Sequence, residues 1–181
     1  MVIDTGGLRE VLTTAHRKGD KVLVVGIGNE LRGDDGIGCL VARDVAQAKL
    51  EGLDGLDAGI AIENASVTIR TAGAGLVLMV DAVRIDSIPT GSWSLHPVDA
   101  LDSFCHTTHS VPLSLIISAL AESMPKTSFH FLGINIGPTS DFAPLSEPVK
   151  KARTELFSLF QSIWPQPPNT AEQKKPQVIN D

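Results

Sequence analysis

Four side chains that can hold a cation or move a proton fall at element boundaries: Asp35, Asp57, Asp81 and His109. Asp35 belongs to KVLVVGIGNELRGDDGIG, residues 21–38, where an apolar run meets Gly26 and Gly28 and then two adjacent carboxylates. Asp81 closes the apolar part of LVLMVDAV with no turn residue beside it. A carboxylate against a buried strand needs a cation, a hydrogen-bond donor or a metal, because bare burial of charge is costly. Arg70 and Arg84 are the ion-pair partners that the sequence offers it. His109 stands in TTHSVPLSL, just ahead of a helix that begins near Pro112. Asp35, Asp81 and His109 together would make an oxygen-and-nitrogen donor set with open positions, suited to zinc, nickel, iron or manganese. Asp57 ends a short strand and faces the same rim.

Simpler roles compete at each position. Asp34 directly precedes a helix, where a carboxylate accepts orphan N–H groups and favours the positive dipole end, so it is expected to be the N-cap. Asp35 is then free to point elsewhere. His16 falls in a charged helix, His96 in an edge strand, His106 beside Cys105, and His130 alternates within a strand. None has a position comparable to that of His109.

Other chemistries fit poorly. A dinucleotide fingerprint needs a third glycine where this chain has Leu31, and Gly33 comes two residues late. Asp34 and Asp35 would also repel the pyrophosphate. No Walker lysine, His-Glu-x-x-His, Gly-x-Ser-x-Gly or Cys-x-x-Cys pattern is present. Cys105 and His106 are chain neighbours, a spacing that nucleophile–base pairs seldom use.

The elements that must carry these residues alternate in type. Lys21 to Ile27 reads as a strand buried on both faces. Gly36 to Leu50 has helical spacing, with Ile37, Leu40, Val41, Val45 and Ala48 on one side. A short strand is expected around Gly55 to Asp57, a helix over Ala61 to Thr71, and a strand from Leu76 that ends at Asp81. Ser92 to His96 reads as an antiparallel edge strand, Val111 to Ala121 as a helix and Phe129 to Ile136 as a strand. Ser146 to Trp164 reads as a long helix with Ser146 as N-cap. Leu113, Leu115, Ile116 and Leu120, like Phe157, Phe160 and Trp164, are expected in the core. The implied fold is α/β, a mostly parallel sheet with helices on both faces. Ligands then sit beyond the carboxyl ends of the strands, and Gly26–Asp35, Asp57 and Asp81 should open onto one rim.

At 181 residues, with 43% hydrophobic and 20% charged side chains, the chain fits a single soluble domain. Residues 1–20 form an accessory helix, 21–164 the domain, and 165–181 a flexible tail rich in proline and polar residues. A net charge of -6 without a basic block argues against nucleic acid or an anionic membrane as partner. Cys39 and Cys105 are too few for a disulfide framework. With neither a signal peptide nor an apolar span, a cytoplasmic location is expected.

The blocks VVGIGNELRGDDGIG, LDAGIAIEN, VLMVDAV, PTGSW, TTHSVPL, FLGINI and PLSEPVKKA, in this order, resemble the NiFe-hydrogenase maturation endopeptidases. The likeness is nearest to the branch that processes hydrogenase 3 (formate hydrogenlyase) large subunits, and runs from Lys21 to Trp164. It implies a three-layer α/β/α sandwich with a five-stranded sheet. It also implies removal of a C-terminal peptide from a large-subunit precursor after nickel insertion; the protein is expected to be a monomer. The metal-contacting positions carried over are Asp35, Asp81 and His109, and Asp57 matches an acidic position lining the cleft. The segment around Asp57 often has glycine where this chain has Ala58. The metal could be a hydrolytic ion held by the protein itself, lowering the pKa of bound water; the resemblance favours nickel supplied by the substrate, with zinc or cadmium able to stand in for it in crystals. Asp57 or Asp35 would serve as general base if burial raises its pKa. A non-catalytic, metal-dependent binding protein or chaperone for the same precursor is the alternative.

Overall fold

The computed structural model describes residues 5–96, 98 and 113–165. His109, Cys105 and His106, like the stretch from residue 166 onward, lie outside these.

In chain order the elements are α1 (Thr5–Lys18), β1 (Val22–Ile27), α2 (Ile37–Ala48), β2 (Leu53–Gly59), α3 (Ser66–Thr71) and β3 (Leu76–Val83). β4 (Trp93–His96), α4 (Leu113–Ser123), β5 (Ser128–Asn135) and α5 (Glu147–Ile163) follow. The five strands form one sheet in the order β2-β1-β3-β5-β4. All neighbours are parallel except β4, which pairs antiparallel with β5.

All six residues of β1 are buried, because helices cover both faces of the sheet. Val22 and Val24 point to one face, with Leu78, Val80 and Leu132, and are covered by α1, α2 and α5. Leu23, Val25 and Ile27 point to the other, with Val77, Met79 and Phe131, and are covered by α3 and α4. On α5 the buried residues Val149, Ala152, Leu156, Phe160 and Ile163 recur at helical spacing and make one apolar stripe. This is the expected three-layer α/β/α sandwich. Among the described residues no helix is long and apolar enough to cross a membrane.

Several expectations need correction. The α1 helix is no accessory: Leu8 and Leu12 are fully buried, and His16 stands edge-on to Trp164 at 5.2 Å. The helix expected over 61–71 divides into a 3-10 turn, Ile62–Ala65, and the short α3. Thr71 turns its hydroxyl back onto the carbonyls of Val67 and Thr68, which adds little helix stability. β2 spans seven residues, and β3 continues two residues past Asp81. On α4, Leu113, Ile117 and Leu120 are buried while Leu115 is exposed.

Candidate active site

The rim at the carboxyl ends of the parallel strands is assembled by close backbone approach. Gly26 lies inside β1 rather than in the turn. A Cβ there would stand 2.0 Å from the Gly38 carbonyl oxygen, so glycine lets α2 press directly onto the strand. Gly28 makes the turn, at φ +143, and a Cβ on it would sit 2.0 Å from the Asp35 carbonyl oxygen. The chain can therefore fold back on itself. The Asn29 N–H donates to that same Asp35 carbonyl at 3.2 Å. The Asn29 side chain accepts from the Leu31 N–H at 3.0 Å and caps the 3-10 turn Glu30–Gly36.

Asp34 does not cap α2. It is buried within the turn, and its carboxylate accepts the Ser146 N–H at 2.6 Å and the Ser146 hydroxyl at 2.7 Å. Ser146 occupies the N-cap position of α5, but its hydroxyl is given to Asp34 instead of to the helix. The turn is thereby tied to the start of α5, and Asp35 projects from it half-exposed.

Asp81 sits in β3 opposite Gly133 of β5 and is 6% exposed. Its Oδ1 accepts the Ala82 N–H at 2.7 Å. Neither Arg70 nor Arg84 pairs with it; Arg84 lies 3.7 Å from Asp86. Burial pushes the Asp81 carboxyl up to about 7, against the Ala82 N–H, which favours the anion; the charge of Asp35 adds to the rise. Asp35 and Asp81 are thus brought within electrostatic reach of one another. Among the described residues no third His, Cys, Asp or Glu completes a metal-binding cluster with them.

Asp57 is differently placed. Arg43 of α2 donates to its Oδ2 through Nε at 3.1 Å and Nη2 at 2.8 Å, and the Gly59 N–H donates to Oδ1 at 3.0 Å. Burial alone would raise its pKa. The nearby Cys39 thiol and hydrogen bonds from Arg43 and the Gly59 N–H outweigh that and hold the carboxyl below its usual range. The expected rise in proton affinity falls on Asp81, not on Asp57. Cys39 is buried, and its thiol is pushed up to about 12, first by burial and then by Asp57, which leaves it inert.

Arg43 and Glu30 were not singled out by the sequence, although they are central here. Arg43 also hydrogen-bonds Glu30, so a single guanidinium joins the turn after β1 to the end of β2. The available signal was an arginine set among apolar residues in α2. Asn135 is a second such residue. Buried at the end of β5, it accepts the Ile85 N–H at 2.7 Å and donates to the Ile88 carbonyl at 2.6 Å, shaping the segment after β3.

A strand-end rim with one half-exposed carboxylate, one buried carboxyl and, among the described residues, no counter-cation paired with Asp81 can take up a divalent ion or shuttle a proton. No family model matches the chain. It is 34% identical over 135 residues to the hydrogenase 3 maturation protease of Escherichia coli, over 75% of this chain and 85% of that protein. A crystal structure of a NiFe hydrogenase maturation protease from Thermococcus kodakarensis matches with a TM-score of 0.74 at 28% identity, over 86% of this chain and 99% of the other. The solution structure of an endopeptidase from Escherichia coli matches with a TM-score of 0.68 at 30% identity, over 76% and 87%.

Proposed function

Because this chain belongs to the hydrogenase maturation proteases, we propose that it removes the C-terminal extension of a NiFe-hydrogenase large-subunit precursor once nickel is in place. Asp35, Asp81 and His109 would contact that nickel, which arrives as part of the substrate. The observation that carries this is Asp81, buried in β3 with Asp35 as its charged neighbour and, among the described residues, no basic partner. Two carboxylates within electrostatic reach of one another, one of them desolvated, repel each other until a cation comes between them. A nickel-bearing substrate supplies that cation, and a nickel-free one does not.

Hydrolysis adds water across one peptide bond: hydroxide goes to the carbonyl carbon and a proton to the departing nitrogen. Of the two candidate bases, Asp57 is engaged by Arg43 and has a lowered proton affinity, which unfits it for taking the proton from water. Asp57 is then a structural carboxylate of the rim, fixing β2 to α2.

The test is mass spectrometry of a nickel-loaded precursor incubated with the parent protein or with Asp81→Asn. The parent should yield two products and the variant should leave the precursor whole. A parent that binds the precursor without shortening it would establish the non-catalytic alternative.

A further inference from the structure

Three of the exposed large apolar side chains lie on segments that follow carboxyl ends of the parallel strands: Leu31 after β1, Ile60 after β2 and Phe142 after β5. Leu31 is 61% exposed and Phe142 81%. These two are joined, since the Phe142 N–H donates to the Leu31 carbonyl. On either side of this bond the two segments are stitched together. Arg32 pairs with Asp141 at 3.5 Å, Gly33 lies against Ala143, and Asp34 holds Ser146.

Phe142 is also conformationally unusual. It is the third residue of a turn closed by the Ala143 N–H on the Ser140 carbonyl, and it sits at φ +60. A turn of this kind calls for glycine at that position, and a bulky side chain there is strained. Burial cannot be what retains the ring, because most of it faces solvent. The chain holds an aromatic group outward on a rigid support where glycine would be easier.

We propose that Leu31 and Phe142 form an apolar docking face for the precursor polypeptide beside the Asp35–Asp81 site. This rests on the protease function above, and it adds a contact that does not depend on nickel. Continuity with the site identifies the occupant. Leu31 is four residues from Asp35 in one turn, so their backbones are at most about 14 Å apart. A polypeptide bound at Asp35 is thus within reach of both exposed side chains. Exposed apolar side chains on a fixed frame suit the apolar part of such a segment.

The test is fluorescence anisotropy of labelled, nickel-free precursor titrated with parent, Leu31→Ser and Phe142→Gly proteins. Each substitution should raise Kd about tenfold. The melting temperature of Phe142→Gly should not fall, because glycine relieves the positive φ. A parent that fails to bind the nickel-free precursor, or variants that bind as tightly as the parent, would overturn the docking face. So would a concentration-dependent dimer of the parent that Phe142→Gly abolishes, which would assign the face to a second copy. Failure of the protease function reads out separately, as a nickel-loaded precursor left whole by the parent whatever the Kd values.

Discussion

Replacing Asp81 by asparagine should stabilise the protein at pH 8 and leave it nearly unchanged at pH 3. The carboxyl goes from its ordinary value of 3.8 in the unfolded chain to about 7 in the folded one. Between those values the folded state holds a proton that the unfolded state has released. Stability therefore falls as pH rises through this window, and the loss is complete above pH 7. At about 1.4 kcal/mol for each tenfold change in proton affinity, the total is about 4 kcal/mol. The side chain is buried, so solvent screening does not reduce this much. Asparagine is nearly isosteric, its Oδ1 can keep the Ala82 N–H, and it has no proton to lose. Urea denaturation of both proteins from pH 3 to pH 8 isolates the effect as the change in their stability difference, since every other titrating group is shared. A difference that widens by about 4 kcal/mol toward pH 8 is expected. A difference constant to within about 1 kcal/mol would refute the claim that Asp81 is a desolvated carboxyl. In an Asp35→Asn background the widening should be smaller, because one cause of the raised pKa has gone.

Arg43→Met should cost only about 1 kcal/mol, since its ion pairs with Glu30 and Asp57 are partly exposed. Asp57 should then titrate closer to its ordinary range, which carbon NMR of its carboxyl would follow. Asp57 contributes stability above the carboxylate range that disappears as pH falls through its lowered pKa, so parent and Arg43→Met should converge in acid. Asp34→Ala should cost about 2–3 kcal/mol, because it removes both acceptors of Ser146 at a buried site. Hydrogen exchange at the start of α5 should accelerate in that variant, and Asp34→Asn should recover much of the loss.

The parts of the fold that repeat along the chain could be read from sequence. An uninterrupted apolar run marks β1 because a central parallel strand has no polar face, and the stripe on α5 follows from helical period alone. Asp81 was recognisable because a charge embedded in such a run demands an explanation. What escaped reading depends on meetings across the fold. Asp34 looked like a cap for the helix beside it, yet its partner is Ser146, 112 residues away. Asp57 looked free to act as a base, and only the approach of α2 to β2 brings Arg43 onto it. Leu8 and Leu12 lie among charged neighbours and looked peripheral until α1 closed over the sheet. The exposure of Phe142 has no local signature at all.

The central claim is that Asp35 and Asp81, two carboxylates within electrostatic reach of one another, need the substrate's nickel before the peptide bond is cut. Loading one preparation of precursor with nickel, withholding it from another, and following loss of the C-terminal tail in both with the same enzyme tests this most directly. Shortening of the nickel-loaded chain alone is expected. Tail release at equal rates from both would contradict it.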